Sequence, residues 1–161
     1  MKLKFGPLAL SVGILAAIWT YASLKLGLST WAAFVGWAFF FVAGGDTKAI
    51  MKAGVPIIVG VVFGYLSLYG LKLGGELGVI GVSVAVGVAA LILILLMNWA
   101  PTALAPAAVA AFATFFGFTL VKTDVFDLSN VLFSLLALLI GVALGWLSVS
   151  LPTWISKPAK A

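Results

Sequence analysis

The chain has 161 residues, of which 65% are hydrophobic and 8% charged, with a mean hydropathy of +1.31 and a formal net charge of +5. Soluble domains carry about 25% charged residues, so this chain cannot cover a globule with polar surface; it reads as an integral membrane protein with one polytopic domain over residues 1–161. Cys and His are missing and all nine basic residues are Lys, which excludes thiol chemistry, Cys/His metal sites, imidazole acid–base catalysis and arginine forks for phosphate.

A bilayer core about 30 Å thick requires roughly 20 apolar residues in helical form. The start, Met1-Lys2-Leu3-Lys4 before an apolar run, has the look of a signal peptide. The run continues through Trp19 and Tyr21 without a small-residue cleavage site, so it is expected to stay as a first helix over about 5–24. Lys25 to Ser29 forms a bend. The second segment, 30–43, is only fourteen residues long and reaches about 21 Å. It must borrow polar flanks, tilt, shelter among other helices or re-enter.

The second segment ends in Phe39-Phe40-Phe41-Val42-Ala43-Gly44-Gly45-Asp46-Thr47-Lys48. This is no Walker loop, because the spaced glycines are missing and a helix precedes it. The two glycines suit a left-handed helix end, and Asp46 suits an N-cap for the next helix. The functional alternative is a cytoplasmic mouth at which Asp46 and Lys48 meet a solute.

The third segment covers about 49–71 and contains Pro56, which should loosen its hydrogen bonding. Gly74-Gly75-Glu76 marks a bend, and the fourth segment follows over about 77–97. Asn98-Trp99-Ala100-Pro101 marks another bend before the fifth, 103–121, where Pro106 fits the first turn. Lys122-Thr123-Asp124 precedes the sixth, 128–151. Alternation typical of barrel strands is absent, so the expected fold is all-α, with six transmembrane helices. Trp31, Trp99, Trp146 and Trp154 lie near segment ends, where amphipathic rings favour the headgroup zone.

Six crossings with an inner N-terminus put Lys2, Lys4, Lys48, Lys52, Lys157 and Lys160 inside, and Lys25, Lys72 and Lys122 outside. That bias predicts that both termini are cytoplasmic. The scattered lysines are read as orientation signals and not as a nucleic-acid surface.

Gly60-Val61-Val62-Phe63-Gly64-Tyr65-Leu66-Ser67 is echoed by Gly141-Val142-Ala143-Leu144-Gly145-Trp146-Leu147-Ser148. Phe39-Phe40 answers Phe115-Phe116, and Ser11 with Ala16-Ala17 answers Ser83 with Ala89-Ala90. The order predicts two three-helix repeats, about 5–73 and 76–152, the second inverted. Inverted repeats often build a path where the copies meet. Gly60-x-x-x-Gly64 and Gly141-x-x-x-Gly145 also allow close helix packing, either within the chain or between subunits.

No Asp, Glu or Lys falls deep in a segment, which argues against a side-chain proton relay or a carboxylate enzyme. Ser11, Ser23, Tyr65, Ser67, Ser83, Asn98, Thr114, Thr119, Ser134 and Ser148 remain, each read first as bonded to its own helix. Trp37, Phe40, Asp46, Lys48, Thr114 and Phe116 are the candidate path residues; lipid-facing packing is the alternative for the aromatic cluster.

Gly13 to Gly36, with Gly13-Ile14-Leu15, Ile18-Trp19, Leu26-Gly27-Leu28-Ser29, Trp31-Ala32, Phe34 and a following Gly-Gly, resembles the bacterial inner-membrane family called domain of unknown function 1097, of YcdZ-type proteins. The resemblance implies a small polytopic inner-membrane protein and carries no activity. A fainter likeness, through the Leu-Gly-Leu bend, the Trp-led short helix and the basic turn, is to the membrane halves of fusaric-acid-resistance and aromatic-acid exporters. Their large cytoplasmic domain has no counterpart in these residues.

The expected function is a channel or facilitator for a small neutral solute or small organic anion, non-enzymatic and without cofactor. Its expected partners are the lipid bilayer and further copies of itself in a homo-oligomer. The other reading is an accessory or scaffold membrane protein that packs through its glycine seams.

Overall fold

The computed structural model describes residues 5–98 and 104–155. Lys2, Lys4, Lys157 and Lys160, which carry much of the orientation argument, lie outside the described residues, as do Trp99, Pro101 and the Trp154 side chain. The described residues form six helices: α1 Phe5–Leu26, α2 Thr30–Val42, α3 Thr47–Gly75, α4 Gly78–Leu96, α5 Ala105–Thr119 and α6 Leu128–Ile155. Among the described residues there is no strand. α1, α3, α4 and α6 are long and apolar enough to cross a membrane. α2 and α5, with 13 and 15 residues, reach about 20 and 22 Å.

Each boundary has a local cause. Gly27 turns left-handed at φ 66°, and the Leu28 amide donates to the Ser23 carbonyl at 2.9 Å, closing α1. The same geometry closes α2: Gly45 N–H reaches Phe40 O at 3.1 Å and Gly44 N–H reaches Phe41 O at 3.0 Å. This is a Schellman ending, and it needs residues that accept positive φ. Asp46 then caps α3, its Oδ1 accepting from Ala49 N–H at 2.9 Å.

Three boundaries differ from the sequence expectation. α3 runs through Gly74 and Gly75, so the bend falls at Glu76 and Leu77 and α4 begins at Gly78, whose φ is +69°. A Gly in a helix costs about 1 kcal/mol against Ala. Here Gly74 and Gly81 abut so closely that a Cβ on either would strike the other's backbone, so packing outweighs propensity. α5 is shorter than expected, Ala105–Thr119, while α6 continues past Pro152. Pro56 also sits inside α3, buried; it deprives only the Lys52 carbonyl, near the helix start, of its usual partner.

α3 and α6 form a central antiparallel pair: Gly54 approaches Leu139, and the Tyr65 hydroxyl donates to Phe126 O at 3.3 Å. α2 lies along α6 and α5 along α3. α1 packs on α6 and α4 on α3, both on the outside. Leu10, Ile14 and Ile18 of α1 and Val79, Ile80 and Val84 of α4 are exposed, which is the surface lipid covers. The two short helices are sheltered: Ala32, Ala33, Trp37 and Phe40 of α2, and Ala107, Ala108, Ala111 and Phe115 of α5, are buried. That answers why their length is tolerated, since their ends need not all meet hydrocarbon.

Candidate functional site

The short helices are seated by glycines. Gly141 faces the backbone of Ala33 and Trp37, and Gly36 faces the Leu138 carbonyl, leaving no room for a Cβ. Gly145 holds the Phe40 ring, where a Cβ would come within 2.7 Å. On the other side Gly60 faces the Ala108 carbonyl, and Gly64 holds Phe115 with a Cβ allowance of only 2.8 Å. Phe40 and Phe115 are fully buried and belong to one apolar cluster with Ile57, Val61 and Leu138. Phe39, Phe41 and Phe116 lean on that cluster.

A buried hydroxyl junction joins α1, α2 and α6. The Ser11 hydroxyl lies 2.6 Å from Ser148 O and 2.9 Å from Leu8 O. Ser148 Oγ donates to Gly145 O at 2.6 Å, and Trp37 Nε1 donates to Ser148 Oγ at 3.4 Å. Nearer the other end of α2, Trp19 Nε1 donates to Thr30 O at 3.0 Å, and Ser23 and Thr30 hydroxyls meet at 2.6 Å. Every group in these junctions is neutral, so they cost little to bury once paired.

The six residues proposed from sequence fall into two places. Trp37, Phe40 and Thr114 are buried, Phe116 is half-buried, and all sit on the short helices. Asp46 and Lys48 are exposed at the start of α3 and do not join the aromatic cluster. Four features escaped the sequence reading. Phe115, not Phe116, takes the glycine seat that corresponds to that of Phe40. Asp127 does at α6 what Asp46 does at α3: its Oδ1 accepts from Ser129 N–H at 2.8 Å and its Oδ2 from Ser129 Oγ at 2.7 Å. Those two bonds hold its carboxyl below the usual range. The spacing of Asp46 to Asp127 equals that of Gly60 to Gly141, a signal present in the sequence. The third is the Ser11–Ser148 bond, which links α1 to α6 and has no sequence signature.

The fourth is a cavity of about 140 Å³ between the α1–α2 turn and the end of α5. Larger apolar grooves of about 290 and 330 Å³ run along the exposed α3–α4 seam, floored by Gly70, Gly74, Gly81 and Ala85. Among the described residues no cluster of carboxylates could hold a metal ion.

A family model described as a protein of unknown function, DUF1097, matches residues 9–153, nearly the whole six-helix array. The chain belongs to this family. Among its relatives is the inner membrane protein YcdZ of Escherichia coli, 33% identical over 75 residues, 46% of each chain. The YcdZ protein of Salmonella typhimurium is 30% identical over 74 residues, 45% of this chain and 46% of that one. The matched stretch therefore spans less than half the length of these relatives. No solved structure matches the chain significantly. Membership of DUF1097 and six apolar helices agree on a polytopic membrane protein, and both curated relatives are named as inner-membrane proteins.

Proposed function

We propose that this DUF1097 protein is a non-enzymatic facilitator for a small neutral solute or small organic anion, built from two inverted three-helix units with both termini cytoplasmic. The reading rests above all on how the short helices are held. Gly141 and Gly145 of the second unit seat α2 of the first; Gly60 and Gly64 of the first unit seat α5 of the second. α1 on α6 is likewise answered by α4 on α3. A pseudo-two-fold relation accounts for all of these pairings at once, and inverted repeats commonly place a site at such a meeting.

The route lies between α2 and α5. It is closed near the C-terminal end of α2 by Phe40 and near the C-terminal end of α5 by Phe115, each ring in its own glycine seat, and the buried polar groups beside the rings are hydroxyls without charge. Passage requires both rings to leave their seats, and a neutral core sets no barrier specific to neutral solutes. Asp46 and Lys48 stand at the inner end beside the turn after α2.

A scaffold role through the Gly60–Gly64 and Gly141–Gly145 seams is less favoured, because those faces are filled by α5 and α2 of the same chain. The test is reconstitution of the purified chain in liposomes, with stopped-flow shrinkage and flux over a panel of neutral solutes and small carboxylates. Permeation above protein-free vesicles for at least one class is expected. Absence of permeation for all of them overturns the facilitator and leaves the scaffold.

A further inference from the structure

We propose that the cavity between the α1–α2 turn and the C-terminal end of α5 binds a small organic carboxylate. Leu26, Leu28, Phe118 and Phe133 give it apolar walls, and Ser29 and Lys122 give it polar ones. Its volume of about 140 Å³ equals the liquid share of about five waters, the scale of a carboxylate with a few carbons.

Three observations set the sign and chemistry of the ligand. The first concerns orphaned hydroxyls. Ser29 Oγ is shielded from solvent and has no hydrogen-bond partner in the protein, and the same holds for Thr119 Oγ1. Ser29 lines the cavity, whereas Thr119, the residue after Phe118, is fully buried and is not part of the lining. Buried hydroxyls are ordinarily paired, and among the described residues these are the two buried side-chain polar atoms that are not. Rotation of Ser29 about χ1 would turn its hydroxyl into the cavity, where a ligand oxygen supplies the acceptor it lacks.

The second is charge. Lys122 lies over the Phe118 ring at 4.9 Å and has no carboxylate partner among the described residues. The nearest acid in sequence, Asp124, is occupied by the Phe126 amide at 2.9 Å. The third is the start of α2. Ser29 holds the N-cap position but makes no side-chain cap bond, so the first-turn amides and the positive end of the helix dipole are left without a side-chain acceptor. One ammonium, one uncommitted hydroxyl and mostly apolar walls fit a monoanion with an apolar body better than a phosphate.

In the facilitator reading this cavity stands at the outer end of the α2–α5 route and selects organic anions there. That role rests on the reading above; binding itself does not. The two fail separately, because binding is measured without flux.

The experiment follows ¹³C-butyrate by NMR with the full chain in nanodiscs of zwitterionic phosphatidylcholine. Saturable binding is expected, weakened at least tenfold in Lys122→Gln, restored in Lys122→Arg and weakened about fivefold in Ser29→Ala. Lys25→Gln, which changes a neighbouring lysine outside the cavity, should stay within twofold. Ser29→Ala removes an unpaired buried hydroxyl, so its melting temperature without butyrate should not fall. Equal affinity in wild type and Lys122→Gln overturns the site. So does butyrate binding no tighter than chloride or inorganic phosphate. Loss of butyrate binding when phosphatidylglycerol is added assigns the cavity to a lipid headgroup and overturns the soluble carboxylate.

Discussion

Asp127 anchors the first turn of α6 through Ser129, and this bonding is what lowers its carboxyl affinity for protons. A group whose folded-state pKa is depressed contributes stability that is present above its unfolded value and lost as pH falls through the folded one. Thermal stability in detergent should therefore decline as pH drops below the ordinary carboxylate range, and Asp127→Asn should flatten part of that decline. An unchanged slope in the variant would contradict the assignment. Asp46 makes the simpler cap, and Asp46→Ala should cost about 1 kcal/mol of stability.

The glycine seats make a sharper residue-level prediction. Gly141→Ala drives a methyl into the backbone of α2, with no flexible atom to yield, and should destabilise by about 1–3 kcal/mol. Gly64→Ala meets the Phe115 ring instead and should disturb packing less. Gly13→Ala on the outer face of α1 meets nothing within 4 Å and should change stability by no more than about 0.5 kcal/mol. Melting curves of the three variants in one detergent would check the order.

Helix number, the short α2 and its ending at Gly44-Gly45 were legible in the sequence because hydropathy and paired glycines are local signals. The ends of α3 and α6 were not. Gly74 reads as a stop and the sixth segment as ending at residue 151, yet tertiary contact keeps Gly74 helical against Gly81 and α6 runs on through Pro152. The Phe40 and Phe115 register was visible only once the seats were known: sequence pairing put Phe39 with Phe115, one residue off. The cavity beside the α1–α2 turn was illegible because Ser29, Phe118 and Phe133 come from three segments with no shared pattern. Cysteine placement tests the sheltering of the short helices, since the chain has none of its own. Ile14→Cys should react with lipid-soluble maleimides only. Thr114→Cys, at a buried position of α5, should be protected from them and become reactive to small water-soluble reagents when the α2–α5 route opens. Equal reaction of both sites with the lipid-soluble reagent would mean that α5 faces the bilayer.

The whole molecule is a central pair of long helices, each clasping a short helix from the other half. Under the inverted arrangement, reporters fused to the two ends should both read as cytoplasmic; opposite readings would mean an odd number of crossings and no inverted pair. The two seated rings, Phe40 and Phe115, give the most direct test of transport. Liposomes containing wild type or Phe40→Ala/Phe115→Ala should be compared for uptake of small neutral solutes and carboxylates, with folding of both verified by circular dichroism. The account predicts measurable uptake through wild type and at least a fivefold increase when both rings are removed. No uptake through either protein, for any solute tried, would contradict it.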